Sequence, residues 1–148
     1  MSSVLIVDDQ PAFREILVRI LTPAGYIAAQ AGDADAALAM IKETPPAVLF
    51  CDVEMPGHDG LWLVAQVREH FPTVAIVLAT SNDAVPSSVS LQRGVVAYVL
   101  KPFQAGRVLG AVREASDWHR AAVARDQVQP PAHDPVEQWL RSRRSRNV

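Results

Sequence analysis

Polar residues follow short apolar runs at four widely separated places in this 148-residue chain. The runs are rich in Val, Ile and Leu, which is typical of strands buried on both faces of a parallel sheet. They are followed by Asp8 and Asp9 after residues 4–7, Asp52 after 48–51, Thr80 after 74–79, and Lys101 after 95–100. Ligands bind just beyond the carboxyl ends of such strands, so we expect these side chains to meet at one edge of the sheet.

Helix-like segments separate the runs and predict a chain of five α/β units. A first helix follows Gln10, and Asp33 is the expected N-cap of the second. Residues 26–30 are short and partly polar, which favours an edge strand. A short helix is expected within residues 82–94, and a last helix from near residue 104 to 124. The third helix is predicted to bury one face, made of Leu61, Val64, Val67 and Phe71.

Composition is that of an ordinary globular protein. Apolar residues make up 49% of the chain and charged residues 20%, which supports a packed core and excludes a wholly disordered chain. No apolar stretch approaches the ~20 residues that a membrane helix needs, and no signal peptide is recognisable, so we expect a cytoplasmic protein. The single cysteine, Cys51, excludes an internal disulfide and is expected to be a buried strand residue.

Two parts of different character are predicted: an α/β domain at residues 1–125 and a tail at residues 126–148. The tail begins with a Pro-containing linker and has room for a short helix with Trp139 and Leu140, but not for an output domain. Its last eight residues contain no acid and four arginines, Arg141, Arg143, Arg144 and Arg146. A solvated end is one interpretation, and a contact with nucleic acid or an anionic membrane is the alternative.

The residues at the strand ends have the chemistry of a magnesium and phosphoryl site. Asp8, Asp9 and Asp52 supply the hard oxygen ligands that Mg²⁺ prefers, and Mg²⁺ keeps waters that phosphate oxygens can replace. Asp52 can act as a nucleophile, since a carboxylate can accept a phosphoryl group as an acyl phosphate. Lys101 and Thr80 can stabilise the charge on the transferring oxygens. Taken singly, the aspartates also fit a helix cap and Lys101 a surface position.

Four segments around these residues resemble the receiver domain of two-component response regulators. They are VLIVDD at 4–9, FCDVEMPGHDG at 50–60, LAT at 78–80 and YVLKPF at 98–103. The resemblance covers roughly residues 3–124. It implies a doubly wound, flavodoxin-like fold in which a five-stranded parallel sheet of order 2-1-3-4-5 is flanked by helices. It also implies a phosphoprotein in which a histidine kinase or phosphotransfer protein phosphorylates Asp52. The chain itself is not expected to be an enzyme, and at most it catalyses its own phosphorylation and dephosphorylation.

The resemblance also implies how the site is held together. The phosphoryl group would contact Thr80 and Lys101, and the bond between Lys101 and Pro102 would be cis. The implied Mg²⁺ ligands are Asp9, Asp52, the backbone carbonyl of Glu54 and, through water, Asp8.

Further residues would govern the response to phosphorylation. Thr80 would move toward the phosphoryl group and Tyr98 would turn inward, which alters a protein-binding face built from the fourth helix, fifth strand and last helix. A plain core role for Tyr98 is the alternative. Glu54 and Asn82 occupy positions that vary in the family and influence the lifetime of the acyl phosphate.

These features favour a phosphoacceptor switch that acts on a downstream protein target. The alternatives are a receiver-like binding module that phosphorylation does not control, and a phosphatase with an Asp nucleophile. Such a phosphatase typically needs a second Asp two residues on, where this chain has Glu54. A homodimer through the last helix, at Trp118 and Ala122, is a further option.

Overall fold

The computed structural model describes residues 2–81 and 94–128. Its strands are β1 Ser3–Val7, β2 Ile27–Ala31, β3 Val48–Asp52, β4 Ala75–Thr80 and β5 Val95–Leu100, and its helices are α1 Pro11–Leu21, α2 Ala34–Glu43, α3 Gly60–His70 and α4 Ala105–Val128. Several predictions lie outside the described residues. They are the helix within residues 82–94, of which only residue 94 is described, the role of Asn82, and the tail after residue 128 with its short helix and arginines.

The strands form one parallel sheet in the order β2-β1-β3-β4-β5, which confirms the predicted doubly wound fold. Every residue of β3 and β4 is buried, as their continuous apolar runs predict. Successive strand residues point to opposite faces of the sheet. Leu5 and Val7 therefore pack with α2 and α3, whereas Val4 and Ile6 pack with α1 and α4.

The edge strand lies one residue later than predicted. β2 pairs only with β1 among the described strands, and its Ile27 is 60% exposed. Tyr26 belongs to the preceding turn, because its backbone N–H donates to the Leu21 carbonyl at the end of α1. The N-cap prediction for α2 is confirmed, since the Asp33 side chain accepts a hydrogen bond from the Ala36 N–H at 2.7 Å.

The predicted apolar face of α3 was partly wrong. The buried residues are Gly60, Leu63, Val64 and Val67, whereas Leu61 and Phe71 are only half-buried. Gly60, the first residue of the helix, lies directly against the backbone of β3, and the residues three and four positions later, Leu63 and Val64, share this buried face.

The last helix is longer than predicted and extends to Val128, so residues 126–128 are helical and do not belong to the linker. The sequence after Ala124 remains compatible with a helix until Pro130, and a proline disfavours the helical conformation of the residue before it. Trp118 on this helix is half-buried, with the Arg68 guanidinium 5.7 Å from its ring centroid, and Ala122 is buried. Within the described ranges, no helix combines the length and the apolar character that crossing a bilayer requires.

Candidate functional site

Three carboxylates meet at the carboxyl ends of β1 and β3. These strands are neighbours and Val7 pairs with Cys51, so the next residues, Asp8 and Asp52, lie side by side at the end of the sheet. Asp8 is 2% exposed and Asp52 5%, whereas Asp9 is exposed. One carboxylate oxygen from each of the three lies within 4.8 Å of the others. Acidic groups this close repel one another, so the arrangement favours a cation at this edge.

Lys101 supplies one positive charge to this cluster. Its Nζ lies 2.8 Å from Asp8 Oδ2 and 3.4 Å from Asp52 Oδ2, and its side chain is 9% exposed. The Lys101 ammonium is therefore at ion-pair distance from both buried carboxylates. One ammonium group does not balance three carboxylates. The possible ligands are hard carboxylate oxygens that carry more negative charge than Lys101 neutralises, and they therefore fit a divalent cation such as Mg²⁺.

The electrostatics of Asp52 are unusual for an aspartate. Burial raises its pKa from 3.8 to about 6; the Lys101 ammonium opposes this change, the Asp8 carboxylate adds to it, and the Glu54 backbone N–H again opposes it. That N–H lies 3.4 Å from Asp52 Oδ1. A carboxyl group with this pKa is ~90% ionised at pH 7, so it remains available as a nucleophile. Burial also limits the water that competes for it.

Side chains and backbone groups hold the β1 end of the site. The Gln10 N–H donates to Asp8 Oδ1 at 2.9 Å and fixes the orientation of that carboxylate. Arg14 on α1 donates to the Asp8 backbone carbonyl at 2.6 Å and, through Nε, to Gln30 Oε1 at 3.2 Å. Arg14 thereby ties α1 and β2 to the end of β1. This role could not be predicted from the sequence, because an arginine on a helix is usually solvated.

Gly60 positions the β3 end of the site. A Cβ atom there would collide with the Asp52 backbone carbonyl oxygen and crowd Val53. The Gly60 N–H donates to the Val53 carbonyl at 3.1 Å, and the Asp59 side chain caps α3 by accepting from the Trp62 N–H at 2.9 Å. In the sequence, Gly60 is only the last residue of the segment at 50–60, and no separate role was predicted for it. The packing of α3 against the Asp52 backbone is what requires glycine.

The other predicted residues surround this cluster. Thr80 is the last residue of β4 and is 3% exposed, while Glu54 is exposed beside Asp52. Thr80 pairs with Leu100, and Leu78 pairs with Tyr98, so Thr80 and Tyr98 are diagonal neighbours on one face of the sheet. Burial raises the pKa of Tyr98, and its hydroxyl group is buried without a hydrogen-bond partner in the described part of the chain. The Lys101–Pro102 peptide bond is cis.

Comparison with known proteins places this geometry in context. A family model described as the response regulator receiver domain matches residues 4–113. The chain is 32% identical over 113 residues to the DNA-binding transcriptional regulator NtrC of Salmonella typhimurium, and 35% identical over 111 residues to the transcriptional regulatory protein AfsQ1 of Streptomyces coelicolor. These alignments cover 76% and 75% of this chain but only 24% and 49% of the relatives. The chain thus spans between about a quarter and a half of the length of these relatives.

Solved structures show the same fold. A CheY-like response regulator receiver domain protein from Methanospirillum hungatei matches with a TM-score of 0.75 and 27% identity, over 82% of this chain and 98% of that chain. The response regulator protein TrrA from Thermotoga maritima, solved in complex with Mg(2+)-BeF, matches with a TM-score of 0.71 and 29% identity, over 78% and 98%.

Proposed function

This chain belongs to the response regulator receiver domain family, and on that premise we propose that it is a phosphoacceptor switch. A histidine kinase or phosphotransfer protein in the cytoplasm donates the phosphoryl group, and Asp52 accepts it. The change is passed to a downstream protein target. The observation that carries the proposal is the buried Asp52 carboxylate at the end of β3, with Lys101 Nζ 3.4 Å away and two further carboxylates beside it.

Phosphoryl transfer follows from the chemistry of Asp52. A carboxylate oxygen of Asp52 attacks phosphorus, and the P–N bond to the donor imidazole breaks as the new P–O bond forms. The donor nitrogen keeps the electron pair of the broken bond. Lys101 and the Thr80 hydroxyl group then contact the phosphoryl oxygens, on which negative charge is spread in the transition state. Water later hydrolyses the acyl phosphate and restores the Asp52 carboxylate. The chain therefore adds and removes its own phosphoryl group and acts on no separate substrate.

The acidic cluster is proposed to hold Mg²⁺. Asp9, Asp52 and the Glu54 backbone carbonyl are the ligands, and Asp8 acts through water. When bound, the cation offsets the repulsion between these carboxylates and the incoming phosphoryl group. The fit is supported by the three carboxylates, which each have one oxygen within 4.8 Å of the others, and by their excess of negative charge over the Lys101 ammonium beside them. The response regulator protein TrrA, solved in complex with Mg(2+)-BeF, is consistent with it.

Thr80 and Tyr98 are proposed to carry the signal. The phosphoryl group attracts the Thr80 hydroxyl, and Tyr98 turns into the space beside it. Tyr98 is suited to this movement because it is half-buried and its hydroxyl group has no partner among the described residues to break away from. The surface that changes includes β5 and α4. Glu54 and Asn82 are proposed to set the lifetime of the acyl phosphate.

The test is intact-protein mass after incubation with Mg²⁺ and acetyl phosphate, with Asp52→Ala measured alongside. Wild type should gain one phosphoryl group, and the gain should require both Mg²⁺ and Asp52. Exposed Asp126→Ala serves as the matched control and should be phosphorylated like wild type. No adduct, or the same adduct in Asp52→Ala, would contradict the proposal. Turnover of many equivalents of a phosphate monoester would favour a phosphatase.

A further inference from the structure

An aromatic ring lies against the ammonium group of Lys101. The ring belongs to Phe13 in the first turn of α1, and its centroid is 4.0 Å from Lys101 Nζ. Phe13 packs edge-to-face on Phe103, with ring centroids 5.7 Å apart, and Phe103 packs in the same way on Phe50 of β3. The Phe13 ring is therefore supported from behind by an aromatic row that is anchored in the sheet.

Among the described residues, Lys101 thus has contacts of two kinds. The ionic contacts are with the Asp8 and Asp52 carboxylates, at 2.8 Å and 3.4 Å, and the other contact is with the Phe13 ring face. An aromatic face attracts a cation and displaces water from it, and the contact is stronger when the cation is desolvated. The Lys101 side chain is only 9% exposed, so this condition is met.

The carboxylates and the ring differ in what the reaction does to them. In the proposed function, an Asp52 oxygen becomes bonded to phosphorus in the acyl phosphate, and Asp8 would help to hold the cation through water, so the present contacts of both carboxylates with the lysine would change. The Phe13 ring has no ligand or phosphoryl group to turn to, and its contact can persist throughout. It is therefore the partner that can keep the ammonium in place while the others change.

We propose that Phe13 is a positioning residue for Lys101 in phosphoryl transfer. The inference rests on the proposed function of Asp52. A transition state is stabilised most by a charge that is already in place and needs no reorganisation. Without the ring, the ammonium gains water and rotamer freedom that must be lost again in the transition state. Because Lys101 faces the phosphoryl oxygens in both formation and hydrolysis of the acyl phosphate, loss of the ring should slow both reactions.

The experiment compares phosphorylation and hydrolysis rates of the full chain, with acetyl phosphate and Mg²⁺, in variants of the aromatic row. Phe13→Leu should slow both rates by about 5- to 30-fold, the range that a desolvated cation–π contact supplies. Phe13→Tyr keeps the ring and should stay within about 2-fold of wild type. Phe103→Leu leaves the Phe13 ring but removes its support, so it should slow both rates by less than Phe13→Leu does. Wild-type rates in Phe13→Leu, or equal or greater slowing in Phe103→Leu, would overturn the proposal.

A spectroscopic measurement separates this proposal from the proposed function. The ring current of Phe13 should move the ε-CH₂ proton signals of Lys101 upfield in wild type and Phe13→Tyr, and the shift should vanish in Phe13→Leu. If the shift is absent in wild type, the contact does not exist in solution and the proposal is wrong. If wild type shows the shift but takes no phosphoryl group, the proposed function has failed and the role of Phe13 fails with it. Phe13→Met provides a second ring-free variant should Phe13→Leu fold poorly.

Discussion

Replacing Asp52 by Asn should stabilise the protein at pH 7 when no divalent cation is present. Burial raises the pKa of Asp52 to about 6, whereas an aspartate in the unfolded chain titrates near 3.9. Between about pH 4 and pH 6 the native state therefore binds more protons than the unfolded state, and stability falls as the pH rises through this window. Asn resembles the protonated carboxyl group in shape and stays neutral, so the variant avoids this loss.

The magnitude follows from the same pKa. A rise from 3.8 to about 6 corresponds to a free-energy cost of about 3 kcal/mol once the pH exceeds 6. This figure is an upper limit, because the carboxylate lies beside exposed Asp9 and solvent screens part of the effect. We expect Asp52→Asn to raise the free energy of unfolding by about 1–3 kcal/mol at pH 7 and by little at pH 4.

Urea unfolding followed by circular dichroism, at several pH values from 4 to 8 with a chelator present, measures this difference. Glu15→Gln removes an exposed carboxylate from α1 and is the matched control, expected to stay within about 0.5 kcal/mol of wild type at every pH. A variant that is no more stable than wild type at pH 7 would refute the reasoning. So would a difference that does not change between pH 4 and pH 7.

Three other outcomes are expected. In the same urea assay, Gly60→Ala should lower the free energy of unfolding by about 1–3 kcal/mol, because the new Cβ collides with the Asp52 carbonyl. Gly110→Ala should instead raise it by about 0.5–1 kcal/mol, because a Cβ at Gly110 meets open space. Asp33→Ala should cost about 1 kcal/mol by thermal or urea unfolding, since the α2 cap is lost. The phosphorylation rate with acetyl phosphate should fall as Asp52 is protonated, with a midpoint at or below about pH 6; a midpoint above pH 7 would contradict the assignment of Asp52 as the nucleophile.

The edge on which the site lies could be predicted because parallel strands end together. Val7 pairs with Cys51, Cys51 with Leu78, and Thr80 with Leu100, so residues that close apolar runs become neighbours in space. Short apolar runs determine the strands, and the strand order follows from the family resemblance. Both steps need only local patterns.

The supports of the site could not be predicted in this way. Gly60 lies close to the Asp52 carbonyl, and Phe13 reaches Lys101 across 88 positions of the sequence. Each contact depends on how a helix is rotated and seated on the sheet, and the apolar periodicity of a helix determines this only roughly. The face of α3 illustrates the limit, since Leu63 is buried where Leu61 was expected.

The cost of Asp52 to the fold and the affinity of the site for a cation are linked. A ligand that binds only the native state stabilises it by about 2.7 kcal/mol at 100 times its Kd, which is the size of the cost attributed to Asp52. Wild type with the cation at such a concentration should therefore be about as stable as Asp52→Asn without the cation. The variant, which has lost one carboxylate of the cluster, should gain less from the same cation. The burial of Asp52 beside Asp8 thus lowers the stability of the fold without a cation and favours binding of a cation to the carboxylates.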